Sequence, residues 1–184
     1  MSDIAPKIEI VSYSGTGNTT ALAKLIAETS GGRVWSLPHD GETSDKMWEA
    51  LDAADTILFG SPTYMGGPAW QFKRFADATG DRWYNRQWQD KLAGGFTASG
   101  STNGDKGECM SYFITLANQH GMIWASLGQS SPPSRSNQDS ATNWSGGNGG
   151  VMAIAGREGM PDGDLQSARD YGARVLALTK RFIR

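Results

Sequence analysis

The chain has 184 residues and 17 Lys and Arg against 19 Asp and Glu, a formal net charge of −2; the length suits one domain with room for a core, and the lack of a basic block excludes a dedicated nucleic-acid binder. Glycine is high, at 24 residues, but clustered rather than periodic, which excludes a collagen-like repeat and marks loops where the backbone turns sharply or approaches a ligand. The single cysteine, Cys109, cannot form an intramolecular disulfide, the start Met1–Pro6 has no charged-then-apolar secretory layout, and no apolar run approaches the ~20 residues of a membrane span, so a soluble, cytoplasmic protein is expected.

Lys7 to Ser12 is short, β-branched and bounded by Pro6 and Gly15, as a buried strand would be. From Asn18 the period changes: Leu22, Leu25 and Ile26 recur at helical spacing and Gly31-Gly32 supplies the stop signal. Arg33 to Leu37 reads as a second strand, Lys46 to Ala53 as a short helix, and Thr56 to Ser61 as a third strand. Pro68 opens another helix with Phe72 and Phe75 on one face. A Trp-rich link, Trp83 to Gln89, leads to a fourth strand, Leu92 to Ala98, and Glu108 to His120 is helical, closed by Gly121. Met122 to Leu127 and Val151 to Ala155 are short strand candidates around Ser126 to Gly150, a stretch dominated by Ser, Gly, Asn and Pro. That stretch is too long for an ordinary connection, so it is either a functional excursion or partly disordered. Asp162 to Phe182 is the last helix, with Leu165, Ala168, Tyr171 or Gly172, Val175, Leu176 and Leu178 on its apolar side. Strands alternating with helices over this length imply an α/β fold with a parallel sheet covered on both faces. The ligand site of such a sheet lies at the carboxyl ends of its strands.

Three polar, Gly-rich loops follow the first, third and fourth strands: Ser14-Gly15-Thr16-Gly17-Asn18-Thr19, Pro62-Thr63-Tyr64-Met65-Gly66-Gly67-Pro68, and Ser99-Gly100-Ser101-Thr102-Asn103-Gly104. In a doubly wound sheet they open on one edge and converge on one ligand. The first ends at a helix start, where free amides and the helix dipole favour an anion, and its hydroxyl and amide side chains can donate to phosphate oxygens without Lys or Arg. The same residues also suit an ordinary helix cap after a Gly turn. The loop is not a Walker A motif, since no Gly-Lys-Ser/Thr follows. It is only a partial dinucleotide fingerprint, because Thr20 stands where Gly or Ala is required and the expected acidic residue could only be Asp40, beyond Pro38.

Ser14-x-Thr16-Gly17-x-Thr19 resembles the phosphate fingerprint of flavodoxins, Ser/Thr-x-Thr-Gly-x-Thr, which binds the FMN phosphate. Further along, Gly60-Ser61-Pro62-Thr63-Tyr64-Met65-Gly66, Phe75-Ala76-Asp77-Ala78-Thr79-Gly80, Trp83, Lys91-Leu92-Ala93, Leu116-Ala117-Asn118-Gln119-His120-Gly121-Met122 and Ala153-Ile154-Ala155-Gly156 resemble the WrbA-like NAD(P)H:quinone oxidoreductases of the flavodoxin-like superfamily. The resemblance spans nearly the whole chain. It implies a single flavodoxin-like, FMN-binding domain over residues 1–184. The fold it implies is a doubly wound five-stranded parallel sheet of order 2-1-3-4-5, its last strand interrupted at about 126–150. The activity it implies is two-electron transfer from NAD(P)H to a quinone-like small molecule. Carried over by residue, Ser14 to Thr19 would hold the phosphate, Pro62 to Gly66 and Ser99 to Gly104 would border the isoalloxazine, and Trp83 and His120 would face the substrate pocket. The segment between the second strand and second helix is shorter than is usual in WrbA-like proteins, and homo-oligomerisation is left open.

Exposed backbone amides can tune a ring system whose charge changes on reduction, and Tyr64, Met65 or Trp83 can offer flat or polarizable surface against it. His120 ends a helix, where capping is the simpler role; near a flavin or quinone oxygen, a donor imidazole could stabilise developing negative charge. Cys109 reads as a buried thiol. No Gly-x-Ser-x-Gly elbow and no metal cluster is present in the sequence, so hydrolase and metalloenzyme readings drop out. The alternative to an enzyme is a flavodoxin-type electron carrier or a stress-protective flavodoxin-like protein. A net charge of −2 provides little of the acidic field by which carriers steer basic partners.

Overall fold

The β-branched run Ile8–Ser12 forms the fully buried β1, and the chain then turns at Gly17 into α1 (Asn18–Ser30), in a computed structural model that describes residues 5–132 and 139–183. The order continues β2 (Arg33–Ser36), α2 (Asp45–Asp52), β3 (Thr56–Tyr64), β4 (Gly67–Pro68), α3 (Trp70–Asp77), α4 (Gly80–Tyr84), β5 (Leu92–Ser99), α5 (Lys106–Gln119), β6 (Ile123–Trp124), β7 (Val151–Ile154) and α6 (Asp162–Phe182). The sheet runs β2-β1-β3-β5-β6, with β7 also on β5 and the two-residue β4 folded back on β3. Every pairing is parallel except β3 with β4. The expected five-stranded order 2-1-3-4-5 is therefore present, with β6 and β7 as the two halves of its fifth strand.

The break in that strand is filled from the side. Leu92 and Ala93 pair with Ile123 and Trp124, and Phe96 to Ser99 pair with Val151 to Ile154, which leaves Gly94 and Gly95, paired with β3 on one side, without a ladder partner on the other. The Tyr171 hydroxyl takes their place: it accepts from Gly95 N–H at 3.2 Å and donates to the Ala125 carbonyl at 2.7 Å. A Cβ on Gly94 would lie 2.1 Å from that hydroxyl, so glycine is required there. Trp124 Nε1 closes the gap farther along by donating to Gly149 O at 2.7 Å. Between Met122 and Leu127, only Ile123–Trp124 forms a strand, because the chain leaves the sheet at Ala125 into the long excursion. Residues 133–138 of the excursion lie outside the described residues.

The two faces are closed by different helices. Ile8 and Ile10 of β1 pack with Leu22 and Ile26 of α1 and Ala168, Tyr171 and Val175 of α6. Val11 of β1 packs on the other side with Met47 and Leu51 of α2, Phe72 and Phe75 of α3, and Phe113 of α5. Alternate side chains of a buried strand point to opposite faces, so both sets must be apolar. Helices α1 and α6 come into close contact at Gly172, where a Cβ would lie 2.5 Å from Ile26 O, and Thr29 Oγ1 donates to Arg169 O at 2.8 Å. A short helix, α4 (Gly80–Tyr84), runs into the start of the Trp-rich link, and the sequence pattern does not announce it.

Candidate active site

The parallel sheet puts the loops after β1, β3 and β5 on one edge, and the structure brings these three predicted segments together. Residues 14–17 form a donor nest. Gly17, at φ +93, turns the chain into α1, and no side chain caps the helix. The first amides of α1 are thus free to meet an anion. Ser14 Oγ accepts from Gly17 N–H at 3.0 Å, and Thr16 Oγ1 accepts from Asn18 Nδ2 at 3.3 Å. Each hydroxyl oxygen is engaged as acceptor, so its own proton is left to donate outward. Gly15, Thr16 and Gly17 are exposed, whereas Thr19 is 1 % exposed and faces the core side of the helix.

The second segment leaves β3 at Pro62 and reverses at Met65 and Gly66, both with positive φ (+49 and +76), before Gly67 and Pro68 pair back on Tyr64 and Thr63. Two central residues at positive φ match the twist of the flanking strands. Glycine adopts this freely; Met65 does so at a cost of about 1–2 kcal/mol, with its side chain fully in solvent. Ser61 Oγ pins the base of the turn, accepting from Ala69 N–H at 2.9 Å. Tyr64 leans over the first loop, and a Cβ on Gly15 would lie 2.5 Å from its hydroxyl. Partial burial and the nearby Tyr13 push the Tyr64 phenol above its ordinary pKa, so it remains a neutral donor.

The third segment, Ser99 to Gly104, curls around a cation. Lys106, the first residue of α5, is 2 % exposed, and its Nζ donates to Ser99 Oγ at 3.0 Å, Ser101 O at 2.7 Å and Thr102 O at 3.0 Å. Below the loops, Thr63 and Thr97 hydroxyls meet at 2.8 Å, with the Cys109 thiol beside both. Burial pushes that thiol up to about 11, which makes it a protonated packing group rather than a nucleophile. Among the described residues no group of His, Cys, Asp and Glu could hold a metal ion, and no helix is long and apolar enough to cross a membrane.

His120 and Trp83 are not part of this arrangement within one chain. Helix α5 starts at the carboxyl edge beside Ser99 and ends on the opposite edge, where Gly121 O accepts from Asp90 N–H just before β5 begins. Fourteen residues of helix span about 21 Å. There His120 is 2 % exposed, its ring tilted against Trp88 (centroids 4.7 Å), with Nε2 at 2.9 Å from Thr79 Oγ1. Burial lowers its pKa to about 4, so the ring is neutral at physiological pH. Trp83 is on α4, which begins after α3 has returned to the same amino edge, and the neighbouring Arg82 binds Asp52 at the end of α2 at 2.9 Å. Within one chain both therefore lie away from the three loops, His120 buried in packing and Trp83 46 % exposed on the amino edge.

Lys106, which holds the third loop, is passed over by pattern reading, although its position carries a signal. A cation at the first position of a helix opposes the dipole, so a buried lysine there needs acceptors close by.

Comparison with known proteins agrees with this geometry. The family model for NADPH-dependent FMN reductase matches residues 22–131. The chain is 42% identical over 176 residues to flavodoxin FldP of Pseudomonas aeruginosa, with 94% of this chain and 96% of that protein covered. It is 31% identical to quinone-oxidoreductase QR2 of Triphysaria versicolor, covering 97% of each. Among solved structures, the flavodoxin, WrbA-like protein from Agrobacterium tumefaciens superposes with a TM-score of 0.80 at 42% identity, covering 96% of this chain and 98% of that one. An archaeal flavodoxin at 20% identity shares the fold, with a TM-score of 0.62. With sheet and relatives in agreement, the chain belongs to the NADPH-dependent FMN reductase family, flavodoxin-like oxidoreductases that work with FMN.

Proposed function

We propose that this chain is an FMN-dependent NAD(P)H:quinone oxidoreductase, with one FMN carried by one flavodoxin-like domain over its length. The observation that carries the reading is the donor nest at residues 14–17: it offers hydroxyls and uncapped helix amides with no lysine or arginine, a fit for a terminal phosphate dianion. Ser14, Thr16 and the amides of Asn18 and Thr19 would hold the phosphate. Pro62 to Gly66 and Ser99 to Gly104 would flank the ring, with Tyr64 as an aromatic surface beside it. FMN, when bound, supplies a ring that takes up a hydride equivalent and releases two electrons, so that NAD(P)H, a proton and a quinone become NAD(P)+ and a hydroquinone. The residues bind and orient: the loops leave one open edge, and the neutral Tyr64 hydroxyl can donate to an oxygen placed there. A cytoplasmic setting suits a chain whose lone cysteine is a buried free thiol.

The test is the absorbance and mass of the chromophore released by heating purified protein, followed by NAD(P)H oxidation with and without benzoquinone. FMN in about one-to-one ratio and quinone-dependent oxidation are expected. FAD, or no flavin after reconstitution, would overturn the reading. The 42% identity to flavodoxin FldP favours a second reading, a carrier that exchanges electrons with a reductase. In that case NAD(P)H oxidation by the protein alone would be negligible.

A further inference from the structure

We infer that Lys106 is a positioning residue of the site: its buried ammonium holds the carbonyls of loop 99–104 inward and thereby turns the amides of Thr102 and Asn103 outward, toward the reducible ligand. The inference rests on the FMN reading above and goes beyond it by assigning how the third loop is shaped and charged.

The argument begins with the peptide unit. In a trans peptide the carbonyl of one residue and the N–H of the next point in opposite directions, and no described residue has a cis bond. Lys106 Nζ is 2.7 Å from Ser101 O and 3.0 Å from Thr102 O. The N–H groups of the same two peptide units, those of Thr102 and Asn103, must therefore point away from the ammonium. Both residues are exposed, and neither amide has a hydrogen-bond partner among the described residues. The loop thus keeps acceptors on its inner side and presents donors on its outer side.

Its tight curl requires the residues found there. Ser99 Oγ accepts the third Lys106 bond at 3.0 Å, and Gly104, at φ +54, has no room for a Cβ beside that serine. Lys106 also places a full positive charge under the loop. Asp164, a buried carboxylate that accepts from Ile154 N–H at 2.7 Å on the neighbouring strand, favours the charged ammonium through space, without an ion pair to it among the described residues. An ammonium and two outward amides favour whichever ligand state carries more negative charge, and a flavin becomes more negative when it takes up two electrons. Removing the cation and removing the Asp164 charge should then act in opposite directions.

The experiment compares wild type, Lys106→Met and Asp164→Asn for FMN dissociation constant by fluorescence titration, midpoint potential of the bound FMN, and thermal unfolding without FMN. Lys106→Met is expected to bind oxidised FMN about tenfold more weakly and reduced FMN more weakly still. Each further tenfold in that ratio lowers a two-electron potential by about 30 mV. Asp164→Asn should raise the potential. A merely structural lysine would lower the unfolding temperature of both variants and leave the potential where it was. A folded Lys106→Met with unchanged affinity and potential would overturn the inference while the FMN reading stands; should that variant not fold, an unchanged or lowered potential in Asp164→Asn would do so. Wild-type protein that binds no FMN would overturn both.

Discussion

A single hydroxyl or ring can be assigned by asking what its free hydrogen-bonding atoms still need. Thr16 is exposed, and its oxygen already accepts from Asn18 at 3.3 Å. Thr16→Ala should therefore leave the fold intact and remove one charge-assisted bond to phosphate, about 1.5–3 kcal/mol, or roughly 10- to 150-fold in FMN affinity by titration. His120 is the opposite case. Its Nε2 is partnered by Thr79, its Nδ1 has no partner, and burial holds its pKa near 4 against an ordinary 6.5. The unfolded chain binds the proton first as pH falls. Stability from this residue is then fully present above pH 6.5 and lost as pH drops toward 4, on the order of 3 kcal/mol in all. Urea unfolding midpoints across that window should show the decline, and His120→Gln, which cannot titrate, should flatten it. The strand–helix alternation alone puts His120 on the far edge, because a helix that follows a strand must travel back before the next parallel strand can start. The resemblance instead places it facing a substrate pocket, which the single chain does not bring to it. Lys106 was illegible for another reason: three of its partners are a loop's own oxygens, and the curl that gathers them is a tertiary fact.

Among the elements, strands with strong apolar character were readable, and the ones that depend on a distant partner were not. β1, β3 and β5 are buried on both faces and appear as short β-branched or apolar runs. The interruption of the fifth strand was visible too, as a Ser, Gly and Asn-rich stretch between two short apolar ones. Invisible was the device that tolerates the interruption, since Tyr171 lies 76 positions beyond Gly95 and reads as one more apolar residue of α6. The phenol is buried among apolar neighbours and makes two bonds to backbone atoms that otherwise lack partners there. Tyr171→Phe keeps the ring and removes both bonds, leaving a buried N–H and a buried carbonyl unsatisfied. A loss of about 2–4 kcal/mol is expected, read as a lower denaturant midpoint. Faster hydrogen exchange at Gly95 and Leu127 would place the loss at the seam between β6 and β7. Exchange faster throughout the chain, with no excess at the seam, would show that the phenol serves general packing instead.

At the scale of the whole molecule, the distribution of roles between the two sheet edges bears on enzyme against carrier. The carboxyl edge gathers three donor-rich loops around one open face, and the amino edge carries the packed cluster of Trp88, His120, Asp52 and Arg82. Charge offers little help to a carrier: a formal net charge of −2 over 184 residues gives a weak field for steering a basic partner. On the proposed reading, FMN held by these loops would offer one face, and nicotinamide and quinone would occupy it in turn, since both need the same reactive surface. Steady-state rates at varied NAD(P)H and quinone should then give parallel double-reciprocal lines, the pattern of a reaction in which the first product leaves before the second substrate binds. Each substrate should also inhibit competitively against the other at high concentration, because a nicotinamide resting on the wrong redox state blocks the quinone. Lines that intersect would require both substrates to be present together and would call for a second binding face. Flavin reduction by NAD(P)H too slow to sustain turnover, with rapid electron exchange from a reductase, would move the molecule from the enzyme to the carrier, and the open face would then be its surface for another protein.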